Sequence, residues 1–372
     1  MEKLDLFYEI SNNPFTYGKK WKEQNEKKVI SFVCSYTPEE IIYAAKALPL
    51  RIIPNTENLS LSNAHFQSYS CRFVRGVLEE LLSGKLNFID GIVFPHTCDS
   101  IQRLSDIWRI NADIGFHIDL VLPVKLNTDS AKEYMEASIR KFRIDIENKL
   151  NIKITDEDLH NAVCKYNKIR KALKTIYEIR RDKYGLLTSS DVYSILSASM
   201  VMDRDLLLQK LLEIIDTLKN KEQKETNNKR LILSGGMCNV PNIYKIIENS
   251  GGTIVWDDLC TGARYFEKII DEIKEPISAI AESYINRINC PAKHSSIYSR
   301  GNNLIDLVNK NRADGVIFIF LKFCDPHSFD YPYLKKMLDQ NGVPNIIFEI
   351  EDPSKFDGQF ETRCQAFLEM LQ

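Results

Sequence analysis

Two phrases in the chain end alike. Gly91-Ile-Val-Phe-Pro-His-Thr-Cys98-Asp99 and Gly315-Val-Ile-Phe-Ile-Phe-Leu-Lys-Phe-Cys324-Asp325 are each a short apolar run that stops at Cys-Asp. Such a run reads as a buried parallel strand that delivers a thiol to the loop at its carboxyl end. Four more cysteines occupy similar places: Cys34 closes Val29 to Val33, Cys71 precedes Arg72-Phe-Val-Arg75, Cys260 follows Thr253 to Leu259, and Cys290 lies in Ile288-Asn-Cys-Pro-Ala-Lys-His294. A single buried cysteine is ordinarily a small core residue. Six thiols in loops or at strand ends, three in each half, point instead to one shared site.

Soft, widely separated thiolates select particular metals. Structural zinc is usually held by closely spaced C-x-x-C pairs, and the sequence has none; the short ferredoxin runs are missing too. Thiols converging from two halves of a chain suit an iron–sulfur centre, whose negative charge helix N-termini would help stabilise. The grouping in threes matters, because a cubane with three protein thiolates leaves one iron for a substrate, a solvent oxygen or a bridging atom. Cys164 and Cys364 lie in helical stretches and read as packing residues, whereas Cys238, in Ser234-Gly-Gly-Met-Cys-Asn, also follows a strand and stays open.

The elements that would position these thiols follow from periodicity. Strands are expected at Val29 to Val33, Arg51 to Ile53, Gly91 to Phe94 and His117 to Leu122, with helices such as Pro38 to Leu48 and Arg72 to Leu82 between them. Strands alternating with helices make a parallel sheet that binds ligands at its carboxyl edge. Long charged helices follow, at Ala131 to Lys149, Asp156 to Lys183 and Asp203 to Asn220, and then the polar, unpatterned stretch Lys219 to Arg230. A second series puts strands at Leu231 to Leu233, Thr253 to Trp256, Val316 to Phe320 and Ile346 to Ile350. The expected fold is α/β: two related doubly wound parallel-sheet domains, residues 1–129 and 227–372, joined by a helical region and linker at 130–226, with the iron–sulfur cluster between the domains.

Composition removes whole classes of function. With 372 residues, 44% hydrophobic and 27% charged, the chain is ordinary globular material, and a formal net charge of -2 gives no reason to expect a nucleic-acid partner. The opening Met1-Glu-Lys-Leu-Asp-Leu-Phe lacks the apolar stretch of a signal peptide and no run approaches a membrane span. A cytoplasmic location is therefore expected. Nine cysteines in a reducing compartment are not a disulfide framework.

Tyr36-Thr-Pro-Glu-Glu-Ile-Ile-Tyr-Ala-Ala, Pro95-His-Thr-Cys-Asp-Ser, Asp257-Asp-Leu-Cys-Thr-Gly-Ala-Arg-Tyr-Phe, Lys322-Phe-Cys-Asp-Pro and Gly358-Gln-Phe-Glu-Thr-Arg-Cys-Gln-Ala-Phe-Leu-Glu resemble the 2-hydroxyacyl-CoA dehydratase and benzoyl-CoA reductase family along almost the whole chain. The resemblance implies two α/β domains with a helical region, and an electron supplied by an ATP-dependent activator. It also implies a four-iron cubane on Cys71, Cys98 and Cys324. The added thiols Cys34, Cys260 and Cys290 resemble the double-cubane cluster protein branch, in which two cubanes share a bridging sulfide in each subunit of a homodimer. Cys238 does not match that pattern.

The expected function, on that resemblance, is an ATP-dependent iron–sulfur reductase component acting on a small molecule; proteins of that branch act on compounds of the acetylene, azide and hydrazine type. The alternatives are a subunit of a 2-hydroxyacyl-CoA dehydratase, binding a single four-iron cubane, and a non-catalytic electron carrier. Without a G-x-x-x-x-G-K-[ST] phosphate loop, ATP hydrolysis is assigned to a separate activase with its own cluster. His96, His294 and His327 lie within four residues of a proposed ligand and are the candidate catalytic proton donors. Asp99 and Asp325 are expected to cap helices. Arg72, Arg75 and Arg264 could balance cluster charge, and Lys165 to Lys174 reads as a solvated face with Tyr166 and Ile169 on its buried side.

Overall fold

A computed structural model describes residues 2–371, apart from 56–57, 184, 220, 223–226, 239–240, 288–289 and 352–356. Two helices, α1 (Glu2–Asn12) and α2 (Pro14–Asn25), precede a sheet of β1 (Val29–Phe32), β2 (Leu48–Arg51), β3 (Gly91–Pro95) and β4 (Phe116–Leu120). Its crossovers are α3 (Glu39–Ala44), α4 (Arg72–Leu82) and α5 (Asp99–Asn111). A helical stretch follows, comprising α6 (Asp129–Leu150), α7 (Asp156–Asp182), α8 (Ser189–Ser199) and α9 (Arg204–Lys219). The second sheet holds β5 (Lys229–Gly235), β6 (Gly252–Asp258), β7 (Gly315–Leu321) and β8 (Asn345–Ile350), with α10 (Pro241–Asn249), α11 (Pro276–Ile285), α12 (Ser299–Asn311), α13 (Asp325–Gln340) and α14 (Asp357–Met370).

Both sheets are wholly parallel and share one topology, β2-β1-β3-β4 and β6-β5-β7-β8. The two halves are related α/β domains in this sense. In each sheet the order of crossovers reverses between the first and third strands, where a crevice opens at the carboxyl ends. The strand sequences explain the burial. Every residue of Gly315-Val-Ile-Phe-Ile-Phe-Leu321 in β7 is buried, because helices cover both faces of a parallel sheet. The edge strands β4 and β8 keep half-buried positions.

One strand lies three residues earlier than its sequence suggests. The second strand is Leu48–Arg51, not Arg51 to Ile53, and α3 ends at Ala44. Lys46 takes a left-handed φ of 60°, which ends the helix and turns the chain into the strand early. Pro49 is tolerated there because β2 is an edge strand, where a missing N–H breaks no ladder bond. Of the polar connection expected at Lys219 to Arg230, residues 220 and 223–226 lie outside the described residues, and β5 already starts at Lys229.

The helical stretch is locally encoded. Thr155 with Asp158 and Thr188 with Asp191 form reciprocal capping boxes at the starts of α7 and α8, satisfying amides that the helix leaves unpaired. The opening helix is tied to this stretch rather than to the first sheet: Lys3 Nζ donates to Thr217 Oγ1 at 2.9 Å and Tyr8 Oη to Asp191 at 2.7 Å. Tyr166 and Ile169 turn inward, 3% and 1% exposed, as their spacing predicts. A core of Ile30, Ile41, Met135, Phe142, Ile277 and Ile280 joins β1, α3 and α6 to α11, so the second half of the chain packs directly on the first.

Close approach makes Gly235 a sensitive point. A Cβ there would lie 2.0 Å from the Ile319 carbonyl oxygen on the neighbouring strand. Gly235→Ala must therefore push β5 from β7, and overpacking of this kind costs about 1–3 kcal/mol. A lowered denaturation midpoint is the expected result, measured by circular dichroism.

Candidate metal centre

The strand ends set out the thiols. Cys34 and Cys98 follow β1 and β3 at the crevice of the first sheet; Cys260 and Cys324 follow β6 and β7 in the second. Cys71 opens α4, and Cys290 lies between α11 and α12. Cys71, Cys98 and Cys324 are themselves the N-cap residues of α4, α5 and α13. Their sulfurs accept no capping hydrogen bond of ordinary length. Even so, the amides of Phe73 and Val74 favour the Cys71 thiolate, that of Ile101 favours Cys98, and that of His327 favours Cys324. Each sulfur stands at the positive end of a helix, where negative charge is stabilised.

The thiols also act on one another. Burial pushes Cys98 up to about 12, and the sulfurs of Cys71, Cys34 and Cys290 add to that rise. Burial lifts Cys324 well above the usual thiol range, with Cys71, Cys98 and Cys260 contributing in that order. Cys290 is pushed up to about 11 by burial, then by Cys260 and Cys34. All six sulfurs thus act within one region: Cys71 leads on Cys98 and Cys324, Cys260 leads on Cys290, and Cys98 also feels Cys34 and Cys290 across the two groups of three.

Cations and donors concentrate around the second set. Arg264 directs Nη1 to Cys260 Sγ at 3.4 Å while its other nitrogens hold Asp258 at 2.7 and 2.8 Å. Arg287 donates to the carbonyls of Ser35 and Arg264 at 2.5 and 2.8 Å, and lies against the rings of Tyr36 and Tyr284. The Thr97 hydroxyl donates to Cys34 Sγ at 3.6 Å. Lys293, 1% exposed, donates to the Leu122 and His96 carbonyls at 3.0 and 3.5 Å. Burial depresses its pKa, and the thiolates of Cys290, Cys34 and Cys98 oppose that. Among the described residues no carboxylate pairs with Lys293.

That ammonium is the test of whether the site fits an anionic cluster. A buried ammonium without a counter-ion costs several kcal/mol and is driven toward the neutral amine, so it stays charged only with an anion close by. Thiolates holding a metal cluster would supply it, and thiols whose ionisation burial opposes need a soft cation to stay deprotonated. Among the described residues no three His, Cys, Asp or Glu side chains close around a point as one metal ion demands. Ligands of a cubane bind different corner irons and stand farther apart than those of one metal ion, so the donor type fits a polynuclear group.

A cleft of about 450 Å³ leads to the sulfurs, with Thr97, Cys98, Cys290, Lys293, Phe329 and Tyr333 in its wall. Of the candidate histidines, His294 is exposed at this cleft. His96 is tied by Nε2 to Asp119 at 2.9 Å, a carboxylate shared with Ser105, His117 and Arg109. His327 is buried beside Gly236, and burial followed by Arg264 and Arg300 holds it neutral. The three do not converge on one point.

Several expectations change. Asp99 and Asp325 do not cap helices, because the cysteines before them take the N-cap positions; they sit in the first turn, and Asp99 pairs with Arg103 at 2.9 Å. Cys364 is fully buried, as a packing residue should be. Cys164 is not a core residue: it lies half-buried on α7, 3.5 Å from His160. Cys238 is the positional counterpart of Cys34, yet it turns into the core, where it raises the pKa of Tyr244 after burial has done so, and its amide donates to Thr261 at 3.1 Å. Arg75 acts on Cys71 and donates to Asn63 at 3.2 Å. Lys293, Thr97 and Arg287 were missed; a lysine three residues past Cys290 was the one legible signal.

Comparison with known proteins identifies the family. Residues 34–371 match the family model described as 2-hydroxyglutaryl-CoA dehydratase, D-component. The chain is 28% identical to the (R)-phenyllactyl-CoA dehydratase beta subunit of Clostridium sporogenes, over 98% of this chain and 97% of that one. It is 31% identical to a benzoyl-CoA reductase subunit of Thauera aromatica, over 91% and 90%. With the (R)-2-hydroxyglutaryl-CoA dehydratase beta subunit of Acidaminococcus fermentans it shares 25% identity over 99% and 98%. The family match runs from the first thiol to the end of the last helix, and the chain belongs to the 2-hydroxyglutaryl-CoA dehydratase D-component family, the family of 2-hydroxyacyl-CoA dehydratase and benzoyl-CoA reductase subunits.

Proposed function

We propose that this chain is the iron–sulfur component of an ATP-dependent reductase, with one cubane on Cys71, Cys98 and Cys324 and a second on Cys34, Cys260 and Cys290. The observation that carries the reading is the placement of six thiols at strand ends and helix starts around one region, where Cys71 is the leading sulfur acting on Cys98 and Cys324 and Cys260 the leading one acting on Cys290. The group would supply low-potential one-electron chemistry. The residues of the chain would hold it at helix N-termini, balance its charge with Arg264 and Lys293, and admit a small molecule through the cleft beside Cys98 and Cys290. Electrons would come from a separate ATP-hydrolysing activase, and the working form would be a cytoplasmic homodimer. Among the described residues no helix is long and apolar enough to cross a membrane.

A second reading is favoured by the relatives themselves, two of which are named as beta subunits of dehydratases. In that case the chain pairs with a different subunit, acts on a 2-hydroxyacyl-CoA ester and carries one cubane. Iron and sulfide analysis after anaerobic preparation separates the two. About eight irons per chain are expected for two four-iron positions. About four, with spectra indifferent to substitution of Cys34, Cys260 and Cys290, moves the assignment to the dehydratase.

A further inference from the structure

The two sets of sulfurs sit in different electrostatic surroundings. Around Cys71, Cys98 and Cys324 the stabilising groups are backbone amides at three helix starts, and the Arg75 charge near Cys71 is opposed by Asp325. Around Cys34, Cys260 and Cys290 lie Arg264, Lys293 and the Thr97 hydroxyl, with Lys293 acting on Cys290 and Cys34 ahead of Cys98 of the first set. Arg264 is offset by its pairing with Asp258. Lys293 is not, since its ammonium is held by two neutral carbonyls. A fixed positive charge in a dry site stabilises the form of a redox group that carries one more electron, and hydrogen bonds to ligand sulfurs act in the same direction.

We propose that Lys293, assisted by the Thr97 hydroxyl, is a positioning residue for charge, making the Cys34, Cys260 and Cys290 position the more easily reduced of the two. This rests on the two-cubane reading above. An electron from a one-electron donor such as dithionite or the activase settles there first; one electron moves and no bond is made or broken. The Thr97 hydroxyl is shared between Cys34 Sγ and the Pro95 carbonyl at 3.6 and 3.5 Å, so its share of the effect is the smaller.

The test is a potentiometric titration of anaerobic, iron-replete protein followed by electron paramagnetic resonance. Lys293→Met preserves the buried stem without its charge. Its more positive reduction step is expected to become roughly tenfold less favourable, about 59 mV lower for a one-electron couple, with the second step moving much less. Lys293→Arg should restore the first step. An iron-replete Lys293→Met with neither step moved, or with both moved equally, overturns the proposal. Loss of about half the iron in Lys293→Met but not in Lys293→Arg supports a need for charge at that position, whereas equal loss in both means that shape alone matters and overturns it. If Lys293→Met does not fold, Thr97→Val decides: a smaller shift in the same direction, reversed in Thr97→Ser, supports the proposal and no shift overturns it. Wild-type protein with about four irons defeats the two-cubane reading itself, a result distinct from any of these.

Discussion

Cys260→Ser is expected to leave the protein folded and strip it of about half its iron, because one of two four-iron positions loses a thiolate. The backbone at this residue is fixed independently of the sulfur: its amide donates to the Gly236 carbonyl at 2.9 Å and its own carbonyl accepts from Arg51 Nη1 at 2.9 Å. A serine oxygen would therefore occupy the place of Sγ. It would be a harder and much less acidic ligand, which iron–sulfur chemistry does not favour. Cys164→Ser is the control, since that thiol lies on the outer part of α7 beside His160. Iron and acid-labile sulfide per chain, with a denaturation midpoint for each variant, give the readout. Equal iron loss in Cys260→Ser and Cys164→Ser, at unchanged midpoints, would show that the sorting of ligands from other cysteines is mistaken.

That sorting was legible in the sequence to an unequal degree. A run such as Val316 to Phe320 can be little other than a buried parallel strand, so the loop placement of Cys324 followed from local pattern alone. The second strand did not, because a single left-handed residue at Lys46 moved it by three positions, and nothing in Ala-Ala-Lys-Ala-Leu-Pro announces that turn. Cys238 and Cys34 both follow the first strand of their sheet, and only packing against Tyr244 separates the core thiol from the one facing the other sulfurs. Lys293 showed in the sequence only as a lysine near Cys290, and its role was hidden for another reason. A lysine in a loop reads as solvated, and its burial depends on carbonyls at Leu122 and His96, far away in the chain. Side chains that serve an anionic group reveal themselves by being buried without a counter-ion, a property that three-dimensional packing alone confers.

The largest effect is expected in energy coupling. Given iron-replete protein, a small reducible substrate and a mild donor, the purified chain should neither hydrolyse ATP nor turn over; a cognate activase with Mg-ATP should switch on substrate reduction. The first half follows from the sequence, which offers no phosphate-binding loop: Gly235 and Gly236 lead into Met237-Cys238 rather than into a lysine and a hydroxyl. Structure gives a further reason, since a Cβ at Gly236 would come within 3.1 Å of the His327 ring, so the turn after β5 is packed against a side chain rather than open to a nucleotide. The second half follows from the potential. Each roughly 59 mV between a mild donor and a low-potential acceptor costs a factor of ten in equilibrium constant, and a few such steps leave almost no reduced protein. A partner that couples nucleotide hydrolysis to a conformational change can raise the donor's driving force enough to close that gap. Substrate reduction is measured with activase present or absent, and with ATP or a non-hydrolysable analogue. Turnover at full rate without activase or nucleotide would mean that the chain draws electrons unaided, and the ATP-gated reading would give way to a self-sufficient redox enzyme.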